Sequence, residues 1–451
     1  MTQRHSNPLR SHKSVDLNPA GQFDRDPSAP RSDSKRRTLL LLFSIAFVTR
    51  ATWGIIAFFR VGAEQLEFPD EQQYWLIASS FAHGQGLRDE LGFVAGRMPL
   101  YPMLLSTFAF LPHALLWAKA LHWIIGALAA PLTFLLGSRL VNRRAGALAG
   151  LLVALDPFLV FTSSLLLTET FFTSAQLALL LALARILLGP PRAHDSDSHP
   201  DQAAGGPFTR GIVVGLFSAL CVYVRESSIG LVALLLLASL LLVRNRRVTA
   251  GVCIAAVTVM IALLPWAIRN ERITGRMCWL TFRGGISLYD GVREGATGAS
   301  DLADVKQMPA VRDLTEPQWD DYFRRQACQL IRDDPPRVLR LSLTKIARMW
   351  NPIPNVDAYR SPAVRTIAAA WNLPLFLGAI LGLATWSWLN QGKPWTRAAL
   401  LLLPILYFTL LHGLFVGSIR YRLPVLPLVA ILAAHGISVI LERFRVARAG
   451  R

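Results

Sequence analysis

The stretch TLLLLFSIAFVTRATWGIIAFF, Thr38–Phe59, decides the fold. It follows the basic triplet Lys35-Arg36-Arg37 and carries one charged residue, Arg50, which needs an internal partner. A helix over this run, rising about 1.5 Å per residue, crosses a hydrocarbon core of about 30 Å. Lipid offers no partners to backbone N–H and C=O groups, so the run must be helical. Similar runs recur over 114–138, 145–164, 170–188, 211–224, 226–243, 250–268, 368–389, 399–419 and 423–441. In a chain of 451 residues that is 53% hydrophobic, they predict an all-α polytopic membrane protein of about ten transmembrane helices.

The net charge of +18 is the charge balance of a nucleic-acid binder, but its arginines are scattered between the apolar runs, where they set membrane orientation. Zinc-finger spacing, RNP motifs and a continuous basic face are all lacking, so nucleic acid is excluded as a partner. Positive-inside threading puts both termini in the cytoplasm of a cell's inner membrane. Residues 1–37, polar and rich in Ser, Pro, Asp and Arg, read as a disordered cytoplasmic tail rather than a cleaved signal peptide. Residues 38–441 form the transmembrane domain and 442–451 a basic cytoplasmic tail. Two long polar segments, 60–98 and 269–367, fall outside, and the second carries an amphipathic stretch from Val338 to Trp350 suited to the membrane interface. That segment also holds Cys278 and Cys328, which would be able to pair there.

The chemistry-bearing residues gather at the external helix ends. In Phe68-Pro69-Asp70-Glu71-Gln72-Gln73-Tyr74, two acids open a helical pattern after a proline suited to a first turn. They either complement the helix dipole of a surface helix or supply a base or metal ligand at the interface. Glu169, in Leu167-Thr168-Glu169-Thr170, enters an apolar helix; it either sits at a helix N-terminus or faces a wet interior. Gly96-Arg97-Met98-Pro99-Leu100-Tyr101-Pro102 holds two prolines that rule out a straight helix, so a short interfacial or re-entrant segment is expected. Arg97 there either snorkels to the headgroups or grips a lipid phosphate in its planar fork. Arg225 beside Glu226, Arg269 beside Asn270, and Arg420-Tyr421-Arg422 complete a cationic ring around the acids, which suits a phosphate-bearing donor.

These motifs, in this order and ending in Arg420-Tyr421-Arg422-Leu423-Pro424, resemble the protein O-mannosyltransferase and aminoarabinose-transferase branch of the GT-C glycosyltransferases. The resemblance covers about residues 38–440 in architecture and is sharp only at the motifs. It implies an extracytoplasmic enzyme that moves a sugar from a polyprenyl-phosphate donor to a lipid, glycan or protein acceptor. By that resemblance Asp70 activates the acceptor hydroxyl, Glu71 is its partner and Glu169 is the second acid. Arg97 would hold the lipid phosphate, with Tyr101, Arg225, Arg269, Arg420 and Tyr421 as further substrate contacts. The sequence identifies no cofactor; if a divalent metal ion takes part, Asp70 and Glu169 are the acids to hold it, and no ligand histidine can be assigned.

A transporter or flippase would place its charges near the midplane between repeats, whereas here they lie at one face and no repeat is visible. A lipid-linked glycan polymerase or ligase shares the donor but works mainly through arginine and histidine, which the Asp70-Glu71 pair disfavours. Reporter fusions test the threading. Fusions after residue 90 or 300 should read as extracytoplasmic and one after Arg247 as cytoplasmic; a cytoplasmic signal at residue 90 would put the acids in the wrong compartment.

Overall fold

The structure, a computed structural model, describes residues 30–62, 65–189, 206–302, 305, 308–385 and 392–449. The chain enters through α1 (Pro30–Val61) and then forms two short helices, α2 (Pro69–Ala82) and α3 (Leu100–Ser106). The bundle continues with α4 (Ala114–Leu140), α5 (Arg143–Leu155), α6 (Pro157–Thr162), α7 (Thr168–Leu188), α8 (Pro207–Val224), α9 (Ile229–Leu242) and α10 (Arg246–Thr274). The long polar segment folds into α11 (Gly284–Val292), α12 (Glu316–Asp333) and α13 (Pro335–Met349). Finally α14 (Pro362–Thr385), α15 (Pro394–Leu414) and α16 (Leu426–Ala449) close the bundle.

Eight of the described helices are long and apolar enough to cross a membrane, against about ten expected. The two shortfalls have local causes. The run 145–164 breaks at Asp156-Pro157: Pro157 has no N–H to continue α5, and the Asp156 carboxylate accepts from the N–H groups of Phe158 and Leu159 to start α6. The run 226–243 opens with a 3₁₀ turn, Glu226–Ser228, which leaves α9 with 14 residues. By contrast, the run read as 211–224 begins earlier, at Pro207, and reaches 18 residues. Residues 30–37, expected in the tail, extend α1, and α16 carries through most of the basic C-terminal segment; residues 1–29 lie outside the described residues.

Arg50 finds its internal partners through one of these breaks. Its guanidinium donates to the carbonyls of Ala46 at 3.0 Å, Ala154 at 3.3 Å and Val153 at 3.3 Å. The last two are carbonyls at the C-terminal end of α5, left without intrahelical donors because the helix stops at Leu155. A cation there also meets the negative end of the helix dipole.

The bundle centre is α7 and α16, whose apolar windows are mostly enclosed by other helices. Phe134, Phe172, Leu183, Leu428 and Ile431 are fully buried among them. Small residues let backbones approach: Gly378 and Gly382 of α14 face Gly436 of α16, and a Cβ at Gly436 would stand 2.4 Å from the Gly378 carbonyl. Helices α11 and α12 pack on a separate cluster that includes Ile286, Trp319 and Phe323. Helix α13 is amphipathic as expected, with Val338, Lys345 and Met349 buried while Leu339 and Leu343 stand exposed. Cys278, in the turn after α10, and Cys328, on α12, are free thiols, so they do not pair.

Replacing Gly382 by Leu tests the α14–α16 contact. Its Cβ would lie 1.9 Å from the Leu432 carbonyl, so the helices must separate. Overpacking of this kind costs about 1–3 kcal/mol or more, and the thermal midpoint of the purified protein should fall accordingly. An unchanged midpoint would contradict the close approach.

Candidate active site

Pro69 opens α2 and puts Asp70 and Glu71 in its first turn, about 100° apart around the axis. That rotation separates their roles. Glu71 is fully buried and accepts from three backbone N–H groups: Glu67 at 3.0 Å, Phe68 at 3.1 Å and Leu166 at 2.7 Å. It thereby pins the turn before α7 to the start of α2. Burial pushes its carboxyl above the ordinary value, and the N–H donors of Leu166 and Phe68 work against that rise. Both Glu71 oxygens are therefore taken by backbone donors, so Glu71 is not the partner of Asp70 that the motif suggested.

Asp70, with its side chain 28% exposed, faces a cavity of about 2020 Å³. Each of its oxygens is held by a different arginine, Oδ1 by Arg97 Nη2 at 2.6 Å and Oδ2 by Arg420 Nη2 at 2.7 Å. Arg420 Nε lies 2.6 Å from Glu169 Oε1, and Arg225 Nη1 reaches the same oxygen at 3.0 Å. Burial acts to raise the Asp70 pKa, but the guanidiniums of Arg420, Arg97 and Arg283 outweigh it and hold the carboxyl well below the usual carboxylate range.

Each arginine is fixed by its own element. Arg97, in the loop before α3, donates to Gln73 Oε1 from Nε at 2.9 Å and from Nη2 at 2.6 Å, with its guanidinium 4.8 Å from the Tyr74 ring. Burial lowers its pKa, but Tyr74 and Asp70 raise it further, so it stays charged. Arg225 caps α8 and Arg420 sits on the 3₁₀ stretch Ile419–Val425 before α16. Tyr421 lies between them, 5.3 Å from each guanidinium, with the His412 ring stacked on its face at 3.9 Å. The cationic ring thus rests on an aromatic platform.

Several expected site residues stand elsewhere. Glu169 is 1% exposed and lies behind Arg225 and Arg420, which come between it and the cavity. Tyr101 is buried: its hydroxyl is 2.9 Å from His122 Nε2 and its ring meets Tyr74 edge-on at 4.9 Å, so it supports the wall rather than forming it. Arg269 stacks over Trp266 at 4.7 Å and donates to the Val94 carbonyl at 2.6 Å, which holds the loop behind Arg97. Asp70, Arg97, Arg225, Arg420 and Tyr421 do line the cavity. So do Gln73, Glu226, Arg283 and His412, to which the motifs gave no role. Gln73 was legible in principle, being three residues beyond Asp70 on the same helical face. Arg283 had no such signal, because only folding of the 269–367 segment brings it to Gln73, at 3.4 Å.

The cavity is lined by both polar and apolar side chains. Its apolar lining includes Trp53, Phe161, Trp371, Ile229, Leu411 and Phe415.

No protein-family model and no curated protein matches the sequence. The fold does match. The archaeal oligosaccharyltransferase AglB from Archaeoglobus fulgidus, in complex with an inhibitory peptide and a dolichol-phosphate, aligns with 92% of this chain and 52% of its own at a TM-score of 0.58 and 14% identity. The apo form of the Archaeoglobus fulgidus oligosaccharyltransferase aligns with 93% of this chain and 52% of its own at 0.58 and 13%. ArnT from Cupriavidus metallidurans bound to undecaprenyl phosphate aligns over 90% of this chain and 78% of its own, with a TM-score of 0.41 and 12% identity. The chain spans about half the length of the oligosaccharyltransferase it matches. At these identities the likeness is one of fold: the chain is an all-α polytopic membrane protein whose helical bundle resembles that of the Archaeoglobus fulgidus oligosaccharyltransferase.

Glu71→Gln separates scaffold from site. An amide turns one donor edge toward backbone N–H groups, so unfolding should become easier by about 1–3 kcal/mol while the Asp70–arginine cluster is kept. A thermal midpoint equal to that of the unaltered protein would mean that the Glu71 bonds do not hold the turn.

Proposed function

We propose that this protein is a membrane glycosyltransferase that moves a sugar from a polyprenyl-phosphate donor to an acceptor hydroxyl. The observation that carries the reading is the cavity-facing Asp70 carboxylate held between the guanidiniums of Arg97 and Arg420. A carboxylate suits the acceptor proton, and clustered guanidiniums suit a departing phosphate. The shared fold supports the lipid carrier, since the oligosaccharyltransferase of that fold was captured with a dolichol-phosphate. In this reading the protein lies in the inner membrane with both termini cytoplasmic and the cavity outside, where a lipid supplies sugar and nucleotide sugars are not normally found.

The mechanism follows from charge competition. A donor phosphate entering the cavity competes with Asp70 for Arg97 and Arg420. As it takes them, Asp70 loses the field that holds its pKa down and becomes a stronger base. Asp70 then removes the acceptor O–H proton while the oxygen bonds to the anomeric carbon. The bond from that carbon to the phosphate oxygen breaks with its electron pair going to the phosphate, through an oxocarbenium-like state. The base is worth about 10²–10⁴-fold, and stabilising the charge on the leaving phosphate contributes more. Glu169 acts as a positioning residue that aims Arg225 and Arg420, and Gln73 aims Arg97. Donor binding precedes acceptor activation.

Asp70→Asn should lower turnover by about 10²–10⁴-fold, measured per molecule of folded, purified protein. Near-normal turnover would exclude Asp70 as the base. Arg97→Ala should weaken use of the lipid donor, and Arg97→Lys should restore it only in part, because a point charge lacks the bidentate fork. Assays with matched lipid-linked and nucleotide-linked donors read this directly. Efficient transfer from the nucleotide sugar, unaffected by Arg97→Ala, would eliminate the mechanism.

The pH profile supplies an independent reading. The acid limb of kcat/KM, which reports the free enzyme, should lie below the ordinary carboxylate range because Asp70 is depressed. In Arg97→Gln the limb should move up toward that range; an unmoved limb would show that Asp70 is not the group titrating.

A further inference from the structure

The two acids that the sequence offered as metal ligands do not fit a metal ion. Asp70 has no free oxygen: Oδ1 is paired with Arg97 and Oδ2 with Arg420. Glu169 presents Oε1 to both Arg420 and Arg225, while Oε2 lies 3.5 Å from the Thr168 hydroxyl. Among the described residues, no group of three or more His, Cys, Asp or Glu side chains stands together. His412, a cavity-lining imidazole, is stacked on Tyr421 rather than turned to the acids.

The charges agree with the geometry. Among the described residues nine arginines and lysines line the cavity, Arg97, Arg225, Arg283 and Arg420 among them, against six aspartates and glutamates, so the cavity is already cationic before any ligand enters. A divalent ion added there would meet four guanidiniums at short range, whereas a phosphate would meet complementary charge. An ion of the magnesium or manganese kind also needs oxygen ligands at about 2.0–2.2 Å, and the nitrogens of Arg420 occupy the space between these two carboxylates.

We propose that Arg420 takes the place of a divalent cation in this site, bridging Asp70 and Glu169 through separate nitrogens, so that sugar transfer by this chain requires no metal ion. A guanidinium is suited to the task. It is permanently charged, it is planar, and its Nε and Nη2 can serve two acids at once. Its position comes from the backbone: Ser418 Oγ accepts from the Arg420 N–H at 3.3 Å, opening the 3₁₀ stretch. Behind that stretch, Arg422 donates to the Met349 carbonyl at 3.2 Å, and Gln176 of α7 donates to the Pro424 carbonyl at 2.9 Å. The cation is therefore carried by a turn clamped to the bundle, and a chelator cannot remove it. When a phosphate arrives, the same guanidinium faces it, neutralising the leaving group without an exchangeable ion.

The activity arm of the test rests on the glycosyltransferase reading; the binding arm does not. The full chain, purified in lipid nanodiscs and stripped with EDTA, is titrated with Mn²⁺ while the electron paramagnetic resonance signal of the free ion is followed. Glu169→Gln and empty nanodiscs serve as controls. The expected result is the same free-ion signal in all three samples, together with transfer from a lipid-linked sugar that EDTA leaves unchanged. One equivalent of Mn²⁺ bound by the unaltered protein and lost in Glu169→Gln would overturn the proposal. So would transfer that EDTA abolishes and Mn²⁺ restores. Absence of transfer from any lipid-linked sugar, with or without Mn²⁺, would count against the glycosyltransferase reading and leave the titration to decide the metal question.

Discussion

A carboxylate gripped on both oxygens by guanidiniums from distant parts of the chain is the contact that organises this molecule. Arg97 comes from the loop before α3, Arg420 from the turn before α16, and Asp70 from the first turn of α2. Glu169 extends the pair into a network by reaching Arg420 and Arg225 from behind. Taking such charges out of water costs several kcal/mol per ion, and only close opposite charges offset it. No single segment of the network can leave without stranding a buried charge, so five separate stretches of chain are held in one arrangement. That demand for mutual neutralisation is why the cavity centre is preformed.

The same end of the bundle is where the helices break. Asp156-Pro157 separates α5 from α6, Arg225 and a 3₁₀ turn separate α8 from α9, and a 3₁₀ stretch containing Pro424 precedes α16. Irregular backbone is tolerated at membrane depth only where it is buried in protein or lines a polar cavity. Here both conditions recur. The broken α5 offers its end carbonyls to Arg50, and the turns around Arg225 and Arg420 aim those side chains inward. A straight helix through Arg225 or through the stretch before α16 would give up the turns that aim Arg225 and Arg420.

Under the proposed function, the arginines also explain how a base with a depressed pKa would work. A carboxylate held down by cations is a poor proton acceptor until something draws the cations away. An anionic donor does this by the same attraction that binds it. In that reading the free site stays charged and stable, and basicity would develop only when there is a leaving group to balance it. The aromatic platform of Tyr421 and His412 leaves the guanidiniums a second support during that exchange.

Much of this was legible without coordinates, because its causes are local. Apolar run length and the behaviour of unpaired backbone in lipid determine a helical bundle, and Pro69, Asp70 and Glu71 mark a helix start. The sequence also showed that Arg50, inside an apolar run, requires an internal partner, and it left Glu169 either at a helix N-terminus or facing a wet interior. It did not determine which partners. Asp70 and Glu71 are neighbours with the same charge, and only the rotation of α2 sends one to the cavity and the other to backbone N–H groups. Tyr101 and Arg269 sit in motifs as suggestive as those of Arg97 and Arg420, yet packing turns the first to His122 and the second to a loop carbonyl. Arg283 joins the site across 210 residues from Gln73, with no periodicity to announce it. Composition and hydrophobic period act along the chain, so the sequence alone yields the bundle and its charged face. Ion pairing acts through space, so only the tertiary structure decides which acid meets which base.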